Sequence, residues 1–190
     1  MKIGIFGGTF NPPHKGHLRL IETFAAKLEL DKVLVIPDKR PVHKICEDLA
    51  LDSDRAELCR RTFTGKNYEV SNMEIDRDTD RYMIFTVNEI LSKYKDAQLF
   101  LIIGSDMFLS FQDWYSPQEI ARCAQLVCFS RYDADAENRA ALQKQADTLE
   151  KLYGQRPVLL TNDCFDISST EARRLLVFGI AEPYLPQAVL

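Results

Sequence analysis

Residues 2–28 read KIGIFGGTFNPPHKGHLRLIETFAAKL. The apolar run Lys2–Phe6 ends at Gly7-Gly8 and reads as a buried strand. A helix follows from about Lys15 to Leu28, because Leu18, Ile21, Ala25 and Leu28 fall on one face at helical spacing. A strand, a glycine turn and a helix in direct succession open an α/β unit.

The alternation continues along the chain. Lys32–Ile36 is a second buried strand stopped by Pro37, and Asp38–Lys44 reads as a loop. Asp54–Phe63 is predicted helical, Tyr68–Ile75 a strand, and Val87, Ile90, Leu91 and Tyr94 mark another helix. Leu99–Ile103 (LFLII) is the clearest strand and ends at Gly104. Gln125–Ser130 and Pro157–Leu160 flank an amphipathic helix near Asn138–Tyr153, and a last helix opens around Ser168. Most of the strands are apolar on consecutive positions, as parallel strands are when helices cover both faces. The expectation is an α/β fold: a doubly wound, Rossmann-like parallel sheet forming one domain over residues 1–190. In such folds ligands bind outside the carboxyl ends of the strands. The residues to search therefore lie just after Phe6, Ile36, Ile103, Ser130 and the strand before Ser168.

Composition narrows the function. With 46% hydrophobic and 27% charged residues, the 190-residue chain can build a core and is neither disordered nor fibrous. A net charge of −4 argues against a general nucleic-acid binder, although a local basic cluster could still hold a small anion. No run approaches the ~18–20 apolar residues that cross a bilayer. Met1-Lys2-Ile3-Gly4 leads straight into a strand, which predicts no leader peptide. Cysteines 46, 59, 123, 128 and 164 form no CxxC pair and read as reduced thiols of a cytoplasmic protein.

The turn after the first strand carries the chemistry. Gly7 and Gly8 allow a tight turn and close approach of backbone amides to a ligand. The helix that starts near His14–Gly16 directs its free N–H groups and positive dipole end into the same space. His14 and His17, three residues apart, share a helix face, and Gly16 leaves room for a flat group. The pair suits a phosphate site. Zinc is the rival ligand, but it needs three or four donors, and His43 lies in a Pro-rich loop with no cysteine joining the cluster. At the other end of the chain, Ser168-x-x-Glu171 is a capping-box spacing that by itself calls for no ligand. With Arg173 one turn after Thr170, however, hydroxyls, helix amides and a guanidinium can converge on phosphate oxygens.

The run Gly7-Gly8-Thr9-Phe10-Asn11-Pro12-Pro13-His14-Lys15-Gly16-His17 resembles the signature of the HxGH nucleotidyltransferases. It is similar to the GGTFDPxHxGH form of the nicotinate-mononucleotide adenylyltransferases, with Asn11 where aspartate is frequent. Ile167-Ser168-Ser169-Thr170 with Arg173 resembles the family's ISSTxxR motif. The resemblance implies an ATP site made by Gly7, Gly8, Thr9, Phe10, His14, Gly16, His17, Gly104, Asp106, Ile167, Ser168, Ser169, Thr170 and Arg173. It implies a mononucleotide site drawn from Thr9, Lys44 of the Pro41-Val42-His43-Lys44 element, Tyr82, Thr86, Asp106, Trp114, Tyr115 and Arg131. His14, His17, Lys44 and Arg173 would be catalytic. Mg²⁺ would accompany ATP without a protein ligand. The implied reaction is adenylyl transfer from ATP to nicotinate mononucleotide, and the nicotinamide form is a second acceptor to consider. A superfamily relative acting on phosphopantetheine is the alternative. No nucleic-acid or membrane partner is expected, and a homo-oligomer is compatible with the reading.

Overall fold

Six strands order as β3-β2-β1-β4-β5-β6 in one parallel sheet, the doubly wound order. The computed structural model describes residues 1–39, 49–78, 82–130, 136–161 and 167–190. Two compact units divide the chain: Met1–Ile5 with Thr79–Asp163, and Phe6–Asp78 with Cys164–Leu190. The strand β1 (Lys2–Gly8) contributes residues to both.

In the unit of Phe6–Asp78 and Cys164–Leu190, α1 (Lys15–Lys27) runs as expected, but its buried stripe is rotated. Leu20, Ile21 and Phe24 are buried, while Leu18, Ala25 and Leu28 are only half-buried. A phenylalanine and a leucine bury more apolar area than an alanine, and that preference sets the helix rotation. Strand β2 (Lys32–Pro37) pairs in parallel with β3, Val33 facing Tyr68 and Val35 facing Val70. The predicted strand Tyr68–Ile75 shrinks to β3 at Tyr68–Val70. Beyond it the Ser71 hydroxyl accepts from Met73 N–H and the Asn72 carbonyl from Asp76 N–H, so local bonds turn the chain out of the ladder. Helix α2 is Asp52–Thr62.

At the end of this unit lies the helix α7 (Ser169–Val177), which buries Ala172 against Ile167, Ala181 and Leu185. Gly179, at φ 68°, ends it. Its N–H reaches the Leu176 carbonyl, and Ile180 N–H reaches Leu175. That left-handed position favours glycine because a Cβ is penalised there.

In the unit of Met1–Ile5 and Thr79–Asp163, β4 (Gln98–Gly104), β5 (Ala124–Ser130) and β6 (Val158–Thr161) run in parallel. Their register sets Leu99 beside Ala124 and Val127 beside Val158. Helix α3 (Met83–Lys93) buries Ile84, Val87 and Ile90, and α6 (Ala136–Tyr153) buries Leu142, Ala146 and Leu149. Two short helices escaped the periodicity reading, α4 (Ser105–Leu109) and α5 (Pro117–Cys123). Each is too short to repeat a stripe, although Pro117 in the first turn of α5 is a recognised start signal. Gln145 of α6 donates to the Phe108 and Leu109 carbonyls and so caps the end of α4. Among the described residues no helix is long and apolar enough to cross a membrane.

Leu101 is fully buried in the middle of β4. Leu101→Ala is expected to lower unfolding free energy by about 2–5 kcal/mol through lost transfer energy and a residual cavity, read from the urea midpoint.

Candidate active site

The chain between β1 and α1 is a turn whose two prolines lack N–H groups, and its carbonyls find donors elsewhere. Thr9 O accepts from Arg55 Nη1 at 2.6 Å, Asn11 O from Arg173 Nη1 at 2.6 Å, and Pro12 O from Ser169 Oγ at 2.9 Å. Asn11 Oδ1 also accepts from Ala50 N–H at 3.2 Å, a contact across the fold rather than a bond within the turn. The two motifs at opposite ends of the chain are therefore bonded directly to each other, with Ser169 and Arg173 of α7 gripping the carbonyls just before His14.

His14 and His17 form a reciprocal cap on α1. His17 N–H reaches His14 Nδ1 at 3.3 Å and His14 N–H reaches His17 Nδ1 at 3.2 Å. The rings stack, with centroids 3.6 Å apart and planes 24° apart. Because each Nδ1 accepts a hydrogen bond, the ring proton of each imidazole sits on Nε2. Two satisfied helix amides thus define the tautomer and orientation of both rings.

Phe10 occupies the left-handed region at φ 48°, where a bulky residue stays only when packing over-determines it. Its ring is 2% exposed and lies edge-on to Phe6, Phe63 and His17 at 5.4, 5.7 and 5.1 Å. A Cβ on Gly8 would come within 3.1 Å of that ring, so the glycine makes room for Phe10. Gly7 lies in the last residues of β1, and Gly16 is buried in the first turn of α1. In α7, Ser168 caps the helix by accepting from Glu171 N–H at 3.1 Å, while the Glu171 carboxylate pairs with Arg174 at 3.2 Å. Arg173 Nη2 also donates to Thr170 Oγ1 at 3.5 Å, and Ile167 is buried beneath the helix start.

The other unit holds Gly104, Asp106, Tyr82, Thr86, Trp114 and Tyr115. Gly104 precedes α4 and Asp106 lies exposed in its first turn. Tyr82 and Tyr115, 41% and 52% exposed, stack at 4.5 Å, with Phe85 at 6.1 Å from Tyr115. Trp114 packs on Phe111 at 5.3 Å. Thr86 is fully buried in α3, so its side chain faces the interior. Lys44, His43 and Arg131 lie outside the described residues. Cys59 and Cys128 are held as thiols by burial, pushed up to about 12.

Sequence reading missed Arg55. It is completely buried on the inner face of α2, and its guanidinium meets Asp38 at 3.3 Å and Asp52 at 2.7 Å. The signal was present, since Arg55, Ala56, Cys59 and Phe63 share helical spacing and only one is charged. Asp38 also accepts from Thr9 Oγ1 at 3.0 Å. Burial pushes the Asp38 carboxyl above its ordinary value, outweighing the Thr9 hydrogen bond and the Arg55 charge that pull it down. The folded protein therefore binds this proton more tightly than the unfolded chain. The stabilisation from Asp38 is complete below the unfolded value of about 3.9 and is lost as pH rises through the folded one. Asp38→Asn is expected to flatten that loss in urea midpoints measured upward from about pH 4.

Comparison with known proteins identifies the family. A family model described as cytidylyltransferase-like matches residues 5–175. A Geobacter sulfurreducens protein named "Probable nicotinate-nucleotide adenylyltransferase" is 35% identical over 202 aligned residues, covering 100% of this chain and 94% of that one. A protein of the same name from Caldicellulosiruptor bescii is 33% identical, over 93% of this chain and 87% of its own. The fold matches that of a Plasmodium falciparum nicotinic acid mononucleotide adenylyltransferase complexed with NaAD, with a TM-score of 0.71 at 14% identity over 98% and 91% of the two chains. The family match, the relatives and the histidine and ISST motifs together place this chain in the nicotinate-nucleotide adenylyltransferase family of nucleotidyltransferases.

Proposed function

We propose that this chain, acting in the cytoplasm as one nucleotidyltransferase domain over residues 1–190, adenylylates nicotinate mononucleotide with ATP. The 5′-phosphate oxygen of the mononucleotide attacks the α-phosphorus in line. A new Pα–O bond forms, the bond from Pα to the bridging oxygen breaks, and pyrophosphate leaves. A phosphate monoester has a second pKa near ~6, so the nucleophile is already an anion and no general base is required. The barrier comes from bringing anions together and from charge growing on the α-phosphate and the leaving group. Positioning and neutralisation are what lower it.

The observation that carries this reading is the reciprocal histidine cap. With both Nδ1 atoms accepting from backbone amides, each ring carries its proton on Nε2, and in the transfer His14 and His17 would direct these Nε2–H groups to α-phosphate oxygens. Arg173 donates one N–H to Asn11 O and one to Thr170 Oγ1 and keeps others for the departing pyrophosphate. Thr170 accepts from Arg173, which leaves its own hydroxyl proton to donate. Ser169 commits its proton to Pro12 and so acts by holding the turn. Lys44 is assigned to the attacking phosphate, and Asp106, Trp114, Tyr115, Tyr82 and Arg131 to the mononucleotide, on resemblance. Thr86 is assigned there on the same ground, through the helix it packs. The donors that face the phosphates are imidazole, guanidinium and hydroxyl groups, which suit anions rather than a hard cation. Mg²⁺ would therefore be held by ATP phosphate oxygens and water, where it supplies charge neutralisation.

Pyrophosphate release in ATP and Mg²⁺ is expected to be fastest with nicotinate mononucleotide, slower with the nicotinamide form and absent with phosphopantetheine. No release with either mononucleotide would overturn the reading. His17→Asn tests the histidine role separately from folding, because the Asn side-chain oxygen can take the place of Nδ1 in the cap but offers no Nε2–H. We expect kcat to fall by roughly 10²–10³ with the thermal midpoint nearly kept. Full turnover in that variant would remove His17 from the mechanism.

A further inference from the structure

Arg55 donates six side-chain hydrogen bonds. Its Nε donates to Ala50 O at 3.3 Å. Nη1 donates to Thr9 O at 2.6 Å and Asp38 Oδ1 at 3.3 Å. Nη2 donates to Asp38 O at 2.5 Å, Lys39 O at 3.4 Å and Asp52 Oδ1 at 2.7 Å. One buried guanidinium thus joins the chain leaving β1, the chain leaving β2 and the start of α2. These are the carboxyl ends of two parallel strands, the place where ligands of this architecture bind.

The bond to Thr9 O has a direct consequence. The Thr9–Phe10 peptide is trans, so its carbonyl and its N–H point in opposite directions. With the carbonyl drawn onto Arg55, the Phe10 N–H faces away from the guanidinium. Phe10 at φ 48° supplies the left-handed turn that suits amides to anions. Asp38, bonded to the same guanidinium, also accepts from the Thr9 hydroxyl. Thr9 is therefore fixed at both its hydroxyl and its carbonyl by one buried ionic cluster.

We propose that Arg55 is a positioning residue for adenylyl transfer: through the Thr9–Phe10 peptide and Asp38 it fixes the ends of β1 and β2 against each other, and with them the turn that leads into His14 and His17. This rests on the adenylyl-transfer reading above. A fork of five fixed N–H groups can satisfy carbonyls on three separate segments at once, whereas an ammonium cannot. An error of about 1 Å in the placement of reacting groups costs on the order of 10²-fold in rate, so a residue buried away from the reacting atoms can matter as much as one beside them.

The test compares Arg55→Lys with Asp52→Asn in steady-state pyrophosphate release, both substrates varied, with thermal midpoints measured alongside. Arg55→Lys keeps the charge but loses the fork, and kcat at saturation is expected to fall by about 10² with the KM for ATP changed far less. Asp52→Asn loosens the same guanidinium without releasing Thr9, so its midpoint drops while kcat stays within about twofold. A merely structural Arg55 would make both variants lose activity only in step with stability. Should Arg55→Lys not fold, Asp38→Asn carries the test, since it removes the carboxylate that aligns Arg55 and Thr9 but keeps every carbonyl contact. Its kcat is expected to fall about tenfold. Near-wild-type kcat in a folded Arg55→Lys, or in Asp38→Asn where Arg55→Lys does not fold, overturns the proposal. A wild-type chain that releases no pyrophosphate would instead strike the adenylyl-transfer reading.

Discussion

The turn from Thr9 to Pro13 cannot satisfy its own backbone, and much of the structure around it exists to do so. Pro12 and Pro13 offer no N–H, so the carbonyls of the segment must find donors in other elements. Arg55 takes Thr9, Arg173 takes Asn11 and Ser169 takes Pro12. Leaving one of these buried carbonyls unpaired would cost about 1–3 kcal/mol, which is enough to select this arrangement over a looser one. The same bonds bring residues more than 150 positions apart into one cluster, with Pro12 and Ser169 separated by 157.

Structure and chemistry share atoms here. Each imidazole uses its Nδ1 to cap the start of α1, so the helix start and the ring orientation are one feature. That economy has a consequence for mutagenesis. Alanine at either histidine removes a helix cap, worth about 1 kcal/mol, together with any catalytic donor. Arg173 likewise braces the turn through Asn11 O and its own helix through Thr170 Oγ1. Groups held this way need little reorganisation when charge develops, which is what electrostatic catalysis requires.

Arg55 shows how a buried ion is tolerated. A desolvated guanidinium is costly unless every N–H is met, and removing one member of such a cluster costs roughly 3–5 kcal/mol. Two carboxylates and four carbonyls meet it here. Burial outweighs the Thr9 hydrogen bond and the Arg55 charge, so the Asp38 proton is held to higher pH than usual. Phe10 belongs to the same arrangement, since its left-handed backbone persists only because its ring is packed on three sides.

Local signals carried far in this chain. Consecutive apolar residues such as Leu99–Ile103 announce a strand buried on both faces, and a glycine turn before an amphipathic stretch announces a helix start. Those patterns act over a few residues, which is why the strands, α1, α7 and the two motifs were readable. Tyr68–Ile75 misled because alternation continues past the point where Ser71 and Asn72 bend the chain with their own bonds. The stripe on α1 was misplaced because spacing reports a period but not which apolar face packs better. Arg55 could be noticed as a charge on an inner face, but not understood. Motif spacing along the chain determined the family. Only the tertiary structure decided that Ser169 and Arg173 close on Asn11 and Pro12, that both histidines cap with Nδ1, and that Arg55 binds two strand ends together. Hydrogen bonds between distant segments depend on where the folded backbone places donors and acceptors, and no local pattern encodes that distance.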